Sequence, residues 1–301
     1  MHPKNTQPPF LVPGDTVAIV STARKIAVDE VHFAKNLLEN QGYKVILGKT
    51  IGAEDHQFAG SDALRAADFQ SFLDDPKVKA IWCARGGYGT VRIINKFDFS
   101  TFQQAPKWII GYSDVTVLHS HLHKLGCQTL HAPMPIDIEK QTETAKQHFL
   151  KSISGELPSY TVAPHLLNRT GTATGVLVGG NLSMLYSLCG SPTAIETKGK
   201  LLFLEDLDEY LYHIDRMLQN LKRNGMLEHL SGLVIGSMNK MNDNTIPFGK
   251  NAEEIIAEAV ATYNFPMCFG FSAGHNEDNN PILLGAEVSL EVSESGSKLS
   301  F

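Results

Sequence analysis

Five short apolar runs, at 17–21, 43–47, 78–83, 108–111 and 129–132, alternate through the first half of the chain with stretches whose apolar residues recur at helical spacing. Strands of this kind are buried on both faces, and their alternation with helices builds a parallel sheet covered on both sides. The stretch 28–40 carries Val31, Ala34, Leu37 and Leu38 at helical spacing, and 63–73 follows Ser61-Asp62, a pair suited to capping a helix. The first half therefore reads as a doubly wound α/β unit. Periodicity fades between about 155 and 175, the best place for a domain boundary. It resumes with strands at 173–178, 200–204, 233–237, 267–271 and 287–292, and with helices at 182–188, 210–223 and 252–263. A chain of 301 residues exceeds what one core usually absorbs, so two units are expected, 1–160 and 173–301.

The balance of 43% hydrophobic and 19% charged residues, with a net charge of -6, is that of an ordinary globular protein. Basic pairs such as Lys222-Arg223 build no dense positive stripe, which argues against nucleic acid as a partner. Cys83, Cys127, Cys189 and Cys268 are far apart in apolar stretches and read as buried free thiols of a reducing compartment. No apolar run reaches signal-peptide or membrane-spanning length, so a cytoplasmic location without a membrane partner is expected.

Three residues have the setting for nucleophilic chemistry. Ser113 stands after the run Trp108-Ile109-Ile110-Gly111 and before the helix-like Val115-Thr116-Val117-Leu118. A strand-turn-helix elbow of this kind lifts a hydroxyl to the carboxyl end of a parallel strand and aims the first amides of the helix at a developing oxyanion. The pattern departs from G-x-S-x-G, because Val115 stands two places after the serine, and Ser-Asp before a helix also suits a plain N-cap. Glu205 ends the strand-like Leu201-Leu202-Phe203-Leu204, where a carboxylate can orient an imidazole, whereas Asp208 and Glu209 suit the positive end of the next helix. His275 follows another apolar run, beside Gly274, whose missing side chain lets other groups approach.

Other histidines compete. His119, His121 and His123 crowd one helix without the glutamate of an H-E-x-x-H site, and read as a partly exposed face rather than a metal site. His131, in His131-Ala132-Pro133 at the end of the run 129–132, is the rival base. The loop Arg85-Gly86-Gly87-Tyr88-Gly89 has neither the ending of a P-loop nor the spacing of G-x-G-x-x-G, so its amides suit an oxyanion hole better than a nucleotide. Arg85 is a candidate for gripping a substrate carboxylate, and equally a surface arginine beside a tight turn.

Taken in order, Val12-Pro13-Gly14-Asp15, Ala84-Arg85-Gly86-Gly87-Tyr88-Gly89, Gly111-Tyr112-Ser113-Asp114, Gly179-Gly180-Asn181-Leu182, Leu204-Glu205-Asp206 and Gly274-His275 resemble the LD-carboxypeptidase family over nearly the whole chain. That family comprises muramoyltetrapeptide carboxypeptidases and their microcin-immunity relatives. The resemblance implies an N-terminal flavodoxin-like parallel sheet with helices on both faces, plus a C-terminal mixed α/β domain. It also implies a triad of Ser113, Glu205 and His275 meeting between the domains. Acyl-transfer logic then makes the amides of Asp114 and Gly87 the expected oxyanion donors, with Arg85 and Gly86 of the glycine loop as the residues expected to bind substrate. No metal or cofactor is implied. The expected protein is a cytoplasmic homodimer that releases the terminal D-alanine from murein stem peptides during peptidoglycan recycling. The alternative within the family is cleavage of a peptidyl or aminoacyl nucleotide, which calls for a stacking aromatic beside the site. Trp82 and Trp108, the only tryptophans, fall inside strand-like runs. A reading of another class, a nucleotide- or flavin-binding protein with Ser113 as a mere cap, predicts that Ser113→Ala keeps function.

Overall fold

Alternate residues of the N-terminal strands enter opposite cores, as strands buried on both faces require. In the computed structural model, which describes residues 5–301, Val17 and Ile19 of β1 (Thr16–Val20) share a core with Trp82 and Trp108. Ala18 and Val20 share the other with Ile81 and Ile109. With β2 (Lys44–Leu47), β3 (Val78–Cys83), β4 (Trp108–Gly111) and β5 (Thr129–His131), β1 forms a parallel sheet in the order 2-1-3-4-5, the flavodoxin-like arrangement. Its helices are α1 (His32–Glu39), α2 (Asp62–Asp74), α3 (Ser100–Gln104), α4 (Thr116–Lys124) and α5 (Glu143–Ser154). Ser61 caps α2 by accepting from the Leu64 amide at 3.2 Å.

The second sheet is mixed. A parallel part comprises β7 (Gly171–Asn181), β8 (Leu201–Leu207), β9 (Gly232–Asn239) and β10 (Met267–Cys268). An antiparallel part adds β12 (Glu287–Ser293), β13 (Gly296–Ser300) and β6 (Ser159–Val162). Leu202, Leu204, Leu233 and Ile235 face a core with helices α6 (Leu182–Leu188), α7 (Leu211–Arg223) and α8 (Ala252–Ala259), while Leu201, Phe203 and Val234 face the opposite side. The remaining strand, β11 (Ile282–Leu284), joins the first sheet instead, antiparallel to β5 with Ile282 opposite His131.

Several expectations change. The aperiodic stretch 155–175 contains β6 and the start of β7, and the helix expected at 252–263 stops at Ala259. Cys83, Cys127 and Cys268 are buried free thiols, but Cys189, at the end of α6, is half-buried. The histidines of α4 are not an exposed face. C-terminal segments pack on this helix: Asn181 donates its amide to Thr116 Oγ1 at 3.1 Å, and Ser120 Oγ donates to the Thr193 carbonyl at 2.6 Å. His119 is therefore buried, and its ring nitrogens meet Thr129 Oγ1 and the Gly111 carbonyl, each at 2.8 Å. His123 is buried between Asn5 and Lys200. No helix among the described residues is long and apolar enough to cross a membrane.

Candidate active site

Three loops meet at the carboxyl ends of β1, β3 and β4. The chain leaves β4 through Tyr112 into a 3-10 turn, Ser113–Val115, that runs on into α4. Ser113 has φ +61, a left-handed conformation that costs an L residue about 1–2 kcal/mol. Its side chain caps nothing, because the N-cap position of the turn is Tyr112 and no side chain bonds there. Nor does Asp114 cap the helix. Its buried carboxylate accepts the Thr90 amide at 2.9 Å and so ties the serine turn to the glycine loop after β3. A strained, uncapped serine at a strand end is the geometry of a nucleophile elbow.

The glycine loop lies against this serine. A β-carbon on Gly86 would stand 3.2 Å from Ser113 Oγ and 3.4 Å from the Asp114 amide nitrogen, so only a residue without a side chain leaves room there for a substrate carbonyl. Gly87 has φ +103, which glycine adopts at little cost. Among the described residues the amides of Gly87 and Asp114 donate to no acceptor, so both are available to an oxyanion. Arg85 reaches the same cavity, but its Nη1 donates to the Lys25 carbonyl at 3.1 Å.

The other two residues come from the second half. Glu205 sits near the end of β8, fully buried, where the pairing with β9 slips by one residue between Leu204 and Asp206. Such a bulge re-aims side chains at a sheet end. Glu205 Oε2 meets His275 Nδ1 at 2.7 Å. The loop carrying His275 is pinned: Gly274 donates its amide to Asn279 Oδ1 at 2.8 Å, and Asn239 Nδ2 donates to the His275 carbonyl at 2.6 Å. Gly274 has φ +105, and a β-carbon on it would fall 2.6 Å from Glu205 Oε2, so the pair closes only around glycine. With Nδ1 engaged by a carboxylate, the imidazole is held in the tautomer whose Nε2 can accept a proton.

Ser113, His275, Arg85, Gly86 and Gly87 all line one cavity of about 490 Å³, with Glu205 closed off behind His275. Further residues line it that sequence reasoning passed over: Arg24, Tyr112, Asp137 and Asp206. Tyr112 packs its ring 4.8 Å from that of His275 and donates its hydroxyl to Asp137 Oδ2 at 2.5 Å. Asp206 accepts from Asn181 Nδ2 at 2.9 Å and from the Ser183 and Leu207 amides at 2.8 Å each. Burial, with Glu205 adding its charge, still pushes its carboxyl up to about 7. Burial pulls the His275 imidazole down, yet Glu205, with Asp206 and Asp137 behind it, outweighs burial and leaves the imidazole above its ordinary value. Two signals mark these residues in the sequence. Arg24 lies in the loop after the first strand, at the sheet end where ligands bind, and Tyr112 and Asp206 adjoin Ser113 and Glu205.

His131, the other candidate base, has different surroundings. His131 is fully buried, outside the residues lining the cavity, and both ring nitrogens lack a partner among the described residues. Burial, with His119 and His275 nearby, holds it well below the ordinary imidazole range, against Tyr112 and Phe203.

Residues 17–132 match the LD-carboxypeptidase N-terminal domain, and residues 174–290 match the LD-carboxypeptidase C-terminal domain. A probable murein peptide carboxypeptidase of Bacillus subtilis is 35% identical over 300 residues, spanning 96% of this chain and 93% of its own. The crystal structure of muramoyltetrapeptide carboxypeptidase from Oxalobacter formigenes superposes with a TM-score of 0.86 at 25% identity, covering 94% of this chain and 97% of its own. The microcin C7 self-immunity protein MccF shares the fold at a TM-score of 0.87 and 22% identity, covering 99% of each chain. Two matched domains in order, together with a relative this similar along its whole length, show that the chain belongs to the LD-carboxypeptidase family.

Proposed function

We propose that the protein is a serine carboxypeptidase that releases the terminal D-alanine from murein tetrapeptides, an LD-carboxypeptidase of peptidoglycan recycling that needs no metal. The observation that carries this reading is the His275 ring, held through Nδ1 on buried Glu205 and lining the same cavity as the strained Ser113. In this reading His275 Nε2 takes the Ser113 proton, and the alkoxide attacks the carbonyl before D-alanine. The amides of Asp114 and Gly87 hold the oxyanion, Glu205 stabilises the imidazolium, and His275 returns the proton to the departing amine before activating water for deacylation. The division 1–160 and 173–301 then puts the nucleophile on one domain and its partners on the other. A cytoplasmic homodimer acting on a soluble stem peptide, without nucleic acid or membrane, completes the reading.

The tryptophans favour murein over an aminoacyl nucleotide. Trp82 and Trp108 are 0% and 2% exposed and donate their indole N–H groups to the Pro133 and Pro9 carbonyls, so neither can stack on a base. Incubation with purified murein tetrapeptide should yield tripeptide and D-alanine. Intact tetrapeptide, with hydrolysis of a peptidyl nucleotide instead, would overturn the substrate assignment.

The electrostatics of His275 set the pH dependence. The base must be neutral to accept a proton, and its value is raised, so kcat/KM should fall on the acid side with a midpoint above the ordinary histidine value of about 6.5. Asp137→Asn removes one of the charges that raise it and should move that midpoint down, as a pH–rate profile would show. A midpoint unmoved by this change would argue against His275 as the titrating base.

A further inference from the structure

A carboxypeptidase must recognise a chain end. In an extended peptide the terminal carboxylate carbon lies only about 3.5 Å beyond the scissile carbonyl carbon, so a cation has to stand beside the oxyanion donors. The carboxylates Asp208 and Glu209 also line the cavity and disfavour a second carboxylate, and Arg24 and Arg85 are the arginines there that can hold it. Arg85 is committed in part to the Lys25 carbonyl. Arg24 is exposed and forms no salt bridge among the described residues. It lies directly on Gly87, with its Cδ and Nε 2.6 and 2.7 Å from where a β-carbon on that glycine would stand.

The backbone of the loop bearing Arg24 is anchored at several points, one of them shared with the glycine loop. Ser21 Oγ donates to the Arg24 carbonyl at 2.7 Å, and the Lys25 amide donates to the Gln57 carbonyl at 2.9 Å. The guanidinium of Arg65, fully buried, spans the two loops by donating to the Thr22 carbonyl at 2.5 Å and the Gly89 carbonyl at 3.0 Å. The Arg24 backbone and the glycine loop therefore keep a fixed spacing, and the Arg24 side chain extends from it across Gly87, beside the amide that would hold the neighbouring oxygen. We propose that Arg24 is the specificity residue that grips the terminal carboxylate of the substrate, with Arg85 bracing its loop from below. This assignment rests on the carboxypeptidase reading above.

The test compares a murein tetrapeptide ending in free D-alanine with the same peptide ending in D-alaninamide. Wild type should prefer the free acid, and Arg24→Gln should raise KM for it about 10- to 100-fold, the worth of a charge-assisted hydrogen bond, and by much less for the amide, so that the preference collapses. Arg24→Lys should recover part of the preference, and Arg85→Gln should affect acid and amide alike. Matching thermal melts establish that the variants fold. If Arg24→Gln keeps the wild-type preference, if Arg85→Gln alone abolishes it, or if wild type cleaves acid and amide equally, the assignment fails while the carboxypeptidase reading stands. If wild type cleaves neither peptide, both fail together.

Discussion

Ser113→Ala is expected to lower D-alanine release about 10⁴- to 10⁶-fold and to leave a folded protein. The hydroxyl makes no capping bond whose loss could weaken α4, so the variant removes chemistry without removing support. The left-handed backbone at this position sharpens the experiment. Ser113→Gly should be just as inactive, yet more stable by up to about 1 kcal/mol, because glycine takes φ +61 without the clash that a β-carbon suffers. A residue that costs stability and supplies activity is what a nucleophile elbow predicts. A residue serving only as a cap predicts the opposite, a loss of stability in both variants with function retained.

Glu205→Gln should cost about 10³- to 10⁴-fold in kcat, although the side chain keeps its size and can still bond to His275. An amide that donates to Nδ1 would place the imidazole proton on Nε2, where it can no longer accept from Ser113. The residual activity should also titrate differently. Glu205 is the nearest charge raising the His275 imidazole, so its neutral replacement should carry the acid limb of the pH–rate profile downwards. Combined with Ser113→Ala, the glutamine should add almost nothing, since residues acting as one unit lose their effect together. A pH–rate profile with single-turnover rates for both single variants and the double variant would check all three expectations. Multiplying losses in the double variant would separate Glu205 from the serine chemistry.

The N-terminal sheet was legible because its strands announce themselves twice, by length and by alternation with helices. The runs 78–83 and 108–111 correspond to β3 and β4 residue for residue. Other strands carry no such signal. The three residues of β11 gain their identity from pairing with β5, far away along the chain, and β13, Gly-Ser-Lys-Leu-Ser, has Leu299 as its one large apolar residue. The polar face of α4 misled for a related reason. His119 looks like a surface residue until Thr129 and the Gly111 carbonyl satisfy both of its nitrogens.

The site shows the same division. Ser113 and Glu205 stand at strand ends and His275 follows an apolar run, each beside a distinctive neighbour, which a sequence displays. The Tyr112–Asp137 hydrogen bond under the His275 ring and the placement of Arg24 over Gly87 depend on loops from different parts of the chain, which it does not.

The most direct measurement is to find the covalent intermediate. Wild-type protein mixed with murein tetrapeptide and quenched within the first turnovers should, on proteolysis and mass spectrometry, show the tripeptide acyl group on the segment containing Ser113. Ser113→Ala should show no adduct and no D-alanine. Release of D-alanine by the Ser113→Ala protein at the wild-type rate, or an acyl group found on another residue, would contradict the assignment of Ser113 as the nucleophile.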